Sequence, residues 1–232
     1  MEAPITLITG TRKGIGYFLA QYYSHAGHIV IGCSRHPIDW ELPHYEHYTL
    51  DVGDEEQVKL LFSSVRKKYK KLDNLINNAG IASMNHALVT PISTLEKVLN
   101  TNVVGTFLFC REGAKLMKKN NYGRIVNFTT IAVPLKLAGE AAYVASKAAV
   151  LALTEVLARE FADFGITVNA VGPVPIETDL IRAVPPDKIQ ALLNQQAIKR
   201  FGQFEDVANV IDFFLRRQSD FITGQHLYLG GV

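Results

Sequence analysis

The sequence predicts an α/β fold: a doubly wound parallel sheet of about seven strands with helices on both faces, built as one domain spanning residues 1–232. Three observations predict it. Short β-branched apolar runs alternate with longer helical patterns along the whole chain, which implies right-handed βαβ crossovers. Most of those runs are almost wholly apolar rather than alternating, as expected of strands covered on both faces. A glycine-rich turn joins the first run directly to the first helical stretch.

In chain order, strands are expected at Ile5–Thr9, His28–Cys33, Tyr45–Leu50, Asn74–Asn77, Arg124–Thr129, Ile166–Val171 and His226–Leu229. Helical stretches lie between them, near 15–26, 54–69, 92–117, 142–162 and 205–216. No composition break, Pro/Gly linker, low-complexity tract or internal repeat divides the chain.

Composition excludes several classes. With 48% hydrophobic and 20% charged residues, 17 Gly, 9 Pro and 2 Cys in 232 residues, the chain is neither disordered, collagenous nor disulfide-stapled. A net charge of +2 and a pI near 8.4 exert no strong pull toward nucleic acid or membrane. Glu2 and the short apolar run Ile5–Ile8 do not read as a signal peptide. No stretch approaches the roughly 18 uncharged apolar residues of a membrane span. Cys33 and Cys110 sit inside apolar segments, as small buried hydrophobes in a reducing cytosol would. A soluble cytoplasmic protein is expected.

The turn Thr9-Gly10-Thr11-Arg12-Lys13-Gly14-Ile15-Gly16 has the spacing to cradle a diphosphate on the free N–H groups of a helix start. Its glycines allow the turn, let the backbone approach a ligand and let helix and strand pack closely. The second strand should supply the group that reads the adenosine ribose, a carboxylate for a 2′-hydroxyl or a cation for a 2′-phosphate. It ends Gly32-Cys33-Ser34-Arg35, with no carboxylate before Asp39. Arg35, with Arg12 and Lys13 on the same side, therefore predicts NADP(H) rather than NAD(H).

Ala141-Ala142-Tyr143-Val144-Ala145-Ser146-Lys147 opens a long helical stretch. Residues four apart share a helix face, so the Tyr143 phenol and the Lys147 ammonium reach one site. A neighbouring cation and a positive helix N-terminus stabilise a phenolate and draw its pKa down toward working pH.

Taken together, the glycine turn, Asn77-Asn78-Ala79-Gly80, Asn102 before an apolar helix and Tyr143-x3-Lys147 resemble the classical branch of the short-chain dehydrogenase/reductase family, in the family's order and over essentially the whole chain. The resemblance implies a Rossmann-type sheet. Gly123-Arg124-Ile125-Val126-Asn127, Thr167-Val168-Asn169-Ala170-Val171, Arg200-Phe201-Gly202 and Ile222-Thr223-Gly224-Gln225 are similar to stretches of 3-oxoacyl-[acyl-carrier-protein] reductases. It further implies that Tyr143 is the general acid of carbonyl reduction and that Lys147 lowers its pKa and holds the nicotinamide ribose. Asn102 would anchor a proton-relay water beside Lys147. The cofactor would lie on Gly10, Arg12, Lys13, Gly14, Ile15 and Gly16. Asp51 and Val52 would meet the adenine, and Asn77, Ala79 and Gly80 would lie close to the ribose, with Asn78 bracing the sheet.

Two positions depart from the family pattern. Its substrate-binding serine, thirteen residues before the tyrosine, is Thr130 here; the hydroxyl is kept but χ1 is stiffer. Neighbouring Thr129 is the alternative, although strand alternation turns it to the opposite face. After the sixth strand, where the family has Pro-Gly, this chain reads Pro173-Val174-Pro175-Ile176-Glu177-Thr178. Val174 precedes a proline and is confined to extended conformations, so the loop must follow its own path to bring Pro173, Ile176 and Thr178 to the nicotinamide.

Other signals are set aside. Seven histidines include no helical His-x3-His pair and no Cys/His quartet, so no metal site is expected. The basic run Arg66, Lys67, Lys68, Lys70 and Lys71 falls at a helix C-terminus, where cations suit the dipole. The stretch Val144–Phe161 is apolar nearly all round, which predicts self-association into a dimer or tetramer. Residues 179–200 are expected to form a lid at the C-terminal edge of the sheet. The chain thus reads as an NADPH-dependent reductase of a ketone, a 3-oxoacyl thioester above all. An alcohol or sugar dehydrogenase is the alternative within the same chemistry, and a non-catalytic NADP-binding regulator the alternative outside it.

Overall fold

The computed structural model describes residues 3–178, 184 and 186–232. Seven strands, β1 (Ile5–Thr9), β2 (Ile29–Ser34), β3 (Tyr45–Thr49), β4 (Asn74–Asn77), β5 (Gly123–Phe128), β6 (Ile166–Gly172) and β7 (His226–Tyr228), form one parallel sheet in the order β3-β2-β1-β4-β5-β6-β7. Every strand lies within about one residue of its expected bounds. The chain winds outward from β1 to β3, then returns to β4 on the other side of β1. The crevice at the carboxyl ends of β1 and β4 is therefore the topological switch point.

The helices are α1 (Gly14–His25), α2 (Glu55–Tyr69), α3 (Ile92–Leu99), α4 (Gly105–Met117), α5 (Ala132–Leu135), α6 (Ala141–Phe161), α7 (Pro186–Asn194) and α8 (Phe204–Leu215). Alternation along each strand divides the core between two layers. Leu7, Ile31, Leu75, Ile125 and Val168 point to the side that carries Val58 and Phe62 of α2, Phe109 of α4 and Leu157 of α6. Ile8, Val30, Ile76, Val126 and Val171 point to the other side, with Leu19 and Tyr23 of α1 and Val207, Ile211 and Phe214 of α8. Each such fully buried side chain contributes about 1.5–3 kcal/mol.

The termini of α2 follow ordinary local rules. The Asp54 carboxylate accepts from the Glu56 and Gln57 amides at 3.0 and 3.1 Å, and Glu55 and Glu56 sit in the first turn. Arg66, Lys67 and Lys68 form the last turn, where Lys68 pairs with Glu46, and Lys71 lies 3.2 Å from Asp73. Between the layers a polar ladder is fully buried. Asn77 Nδ2 donates to Asn127 Oδ1 at 2.8 Å, and Asn127 Nδ2 to Thr154 Oγ1 at 2.9 Å, tying β4 and β5 to α6. Cys33 and Cys110 are unbridged, and burial pushes both thiols up to about 12, which leaves them protonated.

One expectation is corrected. The single helix over 92–117 is interrupted, because residues Asn100–Val104 form a π-helical turn between α3 and α4. The Asn102 side chain is engaged by Ile81 across the gap, and Thr106 Oγ1 donates to the Asn102 carbonyl at 2.7 Å, so one wide turn replaces a regular one. Within 179–200, the segment expected to form a lid, α7 covers Pro186–Asn194; 179–183 and 185 lie outside the described residues. One stretch, Ala141–Phe164, is long and apolar enough by composition to cross a membrane. In the fold its inward residues, Val150, Thr154, Leu157 and Ala158, are buried in the domain itself.

Candidate active site

A cleft of about 790 Å³ opens at the switch point. Its floor is the turn after β1. Gly10 and Gly14 have φ of +76° and +62°, which only glycine adopts at low cost. A Cβ on Gly10 would lie 2.9 Å from the Ala79 backbone, so the turn must sit this close to the end of β4. Asn78 Nδ2 fastens the two by donating to the carbonyls of Thr9 and Gly10 at 2.9 and 3.2 Å, the bracing role expected of it. Helix α1 starts behind Lys13 with no side-chain cap, leaving the first amides of the helix, at Gly14 and Ile15, to face the cleft.

One end of the cleft is cationic. Arg12 and Arg35 line it, both exposed and neither in an ion pair among the described residues. Lys13, Ser34 and His36 complete that end, and Leu50 and Val52 form an apolar slot beside it. The donor set of uncapped helix amides, two guanidinium groups and an apolar slot fits a phosphorylated dinucleotide.

At the other end stand Thr130, Tyr143 and Lys147. Tyr143 and Lys147 lie one turn apart near the start of α6. Lys147 is 4% exposed, and its Nζ donates to the Phe128 carbonyl at 2.8 Å. No carboxylate pairs with it among the described residues, and burial lowers its pKa to about 8. Tyr143 moves the opposite way. Burial pushes its phenol up to about 12, Glu140 adds to the rise, and a hydrogen bond with Thr130 lowers it. The downward shift expected from Lys147 does not set the direction here: burial and Glu140 move the phenol upward, and it keeps its proton at neutral pH.

The two threonines separate clearly. Thr129 is buried and its hydroxyl donates to the Lys147 carbonyl at 3.4 Å, whereas Thr130 shares a hydrogen bond with Tyr143. Strand alternation turns them to opposite sides, as expected.

Most remaining candidates line the cleft: Ala79, Gly80, Pro173, Ile176 and Thr178. Four do not. Gly16 is buried beneath the turn, and a Cβ there would sit 2.5 Å from Asn78 Nδ2, so it permits packing rather than ligand contact. Asp51 turns its carboxylate to the Gly53 amide at 2.9 Å, leaving Leu50 and Val52 to form the wall. Asn77 points into the buried ladder with Asn127. Asn102 stands behind the wall, fully buried. Its Oδ1 accepts from the Ile81 amide, and its Nδ2 donates to the Ile81 carbonyl and to Ser146 Oγ, each at 2.9 Å. Ser146 in turn donates to the Tyr143 carbonyl at 2.7 Å. Asn102 thus braces Tyr143 from behind and does not open onto the cleft.

The Val174 departure has a structural answer. Its side chain is buried, and the positions facing it are glycines: a Cβ on Gly202 or Gly230 would lie 2.6 or 2.7 Å from a Val174 methyl. Val174 fits because the two positions that face it carry no side chain. Gly202 N donates to the Pro175 carbonyl at 2.9 Å, and Ile176 bridges to Gly202, so the loop is held against the cleft.

Sequence reasoning missed Glu140, which lines the cleft three residues before Tyr143 and whose carboxyl is pushed up by burial. Its place at the start of the Tyr143 helix was the available signal. It also missed Leu137 and Val184, which join Ile189 and Leu192 of the expected lid segment in the apolar wall beyond Tyr143.

A family described as Enoyl-(Acyl carrier protein) reductase matches residues 10–231. The chain is 30% identical to the 3-oxoacyl-[acyl-carrier-protein] reductase FabG of Escherichia coli K12, over 99% of this chain and 97% of that one. It is 34% identical to FabG of Rickettsia felis, over 97% and 95%. Among solved structures, ElxO with NADP bound superposes with a TM-score of 0.90 at 32% identity, covering 98% of this chain and 97% of that one.

Proposed function

The chain belongs to the short-chain dehydrogenase/reductase family, an oxidoreductase family, and from that premise we propose that it reduces a ketone to a secondary alcohol with NADPH, its substrate a 3-oxoacyl thioester. The observation that carries this reading is the pairing of the Thr130 and Tyr143 hydroxyls, one of them held protonated, in a cleft that also contains buried Lys147. Two hydroxyls at one point suit a carbonyl oxygen, which accepts two hydrogen bonds.

Bound NADPH would supply a hydride to the carbonyl carbon. The residues do the rest. Gly14 and Ile15 offer amides to the diphosphate, Arg12 and Arg35 offer charge to the 2′-phosphate, and Leu50 and Val52 offer the adenine an apolar wall. Thr130 orients the carbonyl oxygen, and Tyr143 gives it a proton. Lys147, held by the Phe128 carbonyl, stabilises the negative charge that develops on the phenol oxygen. Asn102 and Ser146 act as positioning residues for Tyr143. Leu137, Ile189 and Leu192 would cover an acyl chain.

By microscopic reversibility the same Thr130, Tyr143 and Lys147 set would serve alcohol oxidation, so direction is read from turnover: a ketone with NADPH is expected to react faster than an alcohol with NADP+. A regulator without chemistry would have no use for a buried ammonium held, among the described residues, by the Phe128 carbonyl alone.

The direct test supplies an acetoacetyl thioester with NADPH or NADH and follows loss of reduced-nicotinamide absorbance. Turnover with NADPH and little with NADH is expected. Arg35→Ala should weaken NADPH by about 10–100-fold, as loss of a charge-assisted contact does, and leave NADH unchanged. Equal use of both cofactors by wild type and variant would refute the assignment.

Self-association belongs to the same reading. The outward face of α6 carries Ala145, Ala148, Ala152 and Val156, flanked by exposed Glu155 and Arg159, and α4 presents Phe107, so the domain leaves an apolar strip uncovered. Light scattering at micromolar concentration should give the mass of a dimer or tetramer; a monomer mass contradicts it.

A further inference from the structure

A chain of hydrogen bonds runs behind the cationic end of the cleft, through residues that none of the preceding roles uses. Ser34, the last residue of β2, donates its hydroxyl proton to the His36 carbonyl at 2.7 Å, closing a tight bend around Arg35. With that proton committed, Ser34 Oγ receives from His47 Nε2 at 3.0 Å, and the His36 carbonyl is a second acceptor for the same ring, so His47 meets the bend at two points. His47 is then neutral with its proton on Nε2, in keeping with burial, which holds its pKa below the ordinary value. Nδ1 is left to accept from Tyr45 Oη at 2.8 Å, and Tyr45 accepts from Thr11 Oγ1 at 2.7 Å. The chain therefore has one direction, from the glycine turn through β3 to the end of β2.

The surroundings keep it in place. Gly32 pairs with His47 across β2 and β3, and a Cβ there would come within 2.5 Å of Thr11 Oγ1. Trp40 packs against the Tyr45 ring with centroids 4.9 Å apart. Thr11 is wholly buried and His47 does not reach the cleft, whereas Ser34, Arg35 and His36 line it.

We propose that His47 is a positioning residue that fixes the preference for the phosphorylated dinucleotide, by holding the Ser34–His36 bend so that Arg35 is presented to the 2′-phosphate. The physical basis is entropy. Arg35 is exposed and has no ion-pair partner among the described residues, so only its backbone frame limits where its guanidinium can go. His47 donates the hydrogen bond that keeps Ser34 Oγ turned to the bend. Without it the hydroxyl is free to rotate, the bend opens, and ordering Arg35 opposes binding. A dinucleotide lacking the 2′-phosphate does not use Arg35 and is indifferent to His47.

This inference rests on the NADPH reading, and the test separates the two. Dissociation constants for NADPH and NADH are measured by nicotinamide fluorescence on wild type, His47→Leu, His47→Gln and Ser34→Ala, with melting temperatures alongside. His47→Leu should weaken NADPH roughly tenfold, about the worth of one hydrogen bond, and leave NADH unchanged. His47→Gln places an amide donor near the former Nε2 and should restore most of the loss. In a Ser34→Ala background His47→Leu should cost less than it does in wild type, since only the contact with the His36 carbonyl is left to lose. The proposal is overturned if His47→Leu weakens both dinucleotides alike, if it changes neither, if His47→Gln fails to rescue, or if the two substitutions are additive. If wild type itself binds NADH as tightly as NADPH, the cofactor reading falls and takes this inference with it.

Discussion

Tyr143→Phe is expected to lower kcat for ketone reduction by about 10²–10⁴-fold, the range general acid catalysis contributes. The ring stays in place, so the fold and the apolar lining of the cleft are preserved. What disappears is one hydroxyl, which in the wild type is protonated and bonded to Thr130. NADPH affinity should change little, because the amides at Gly14 and Ile15 and the two arginines lie at the far end of the cleft. The measurement is stopped-flow reduction of an acetoacetyl thioester, with NADPH binding determined in parallel. Retained turnover in Tyr143→Phe would remove the phenol from the mechanism. Lost cofactor binding would instead identify it as a structural residue.

The second large effect is a pair of opposed pH dependences from one group. Lys147 has a folded pKa of about 8, below the ordinary lysine value, because burial disfavours its charge. Above about pH 8 it loses its proton in the folded protein. The charge that steadies the developing phenolate is then gone, so the reduction rate should fall. Stability should go the other way. Between about pH 8 and the ordinary value, the unfolded chain binds a proton that the folded chain does not, so stability rises with pH across that window. The gap amounts to roughly 3 kcal/mol. Tyr143 supplies a bound at the alkaline side: its folded value is raised, so the folded state holds the proton longer, and stability falls again as pH climbs from the ordinary tyrosine value toward about 12. Denaturant midpoints of wild type and Lys147→Met over this range isolate the lysine. The rise between pH 8 and the ordinary lysine value should vanish in the variant, and a persisting rise would assign it to other groups.

The sheet was legible because strands buried on both faces must be apolar at nearly every position, and that pattern survives any detail of packing. The glycine turn was legible for a similar reason, since positive φ at Gly10 and Gly14 leaves few residue choices. Less could be read where the decisive partner is backbone. The anchor of Lys147 is the Phe128 carbonyl, and Asn102 is engaged by both polar groups of Ile81, neither of which a residue name reveals. Asn77 and Asp51 occupy the expected strands' ends, but which way a side chain turns there is decided by neighbours such as Asn127 and Gly53. The direction of the Tyr143 shift depends on how deep the cleft is, a property of the assembled walls. The loop after β6 shows the same limit: the room that Val174 occupies is left by Gly202 and Gly230, which lie far from it in the chain.

The wide turn at Asn100–Val104 makes residue count itself carry information. A regular helix could absorb the loss of one residue there and remain a helix, closing its ladder at little backbone expense. Everything upstream would then swing by about 100° around the axis. Asn102 would swing off Ile81, and the brace behind the reactive phenol would come undone in a protein whose circular dichroism looked untouched. Length between Leu99 and Gly105 is thus under tighter constraint than the identity of most side chains in that span.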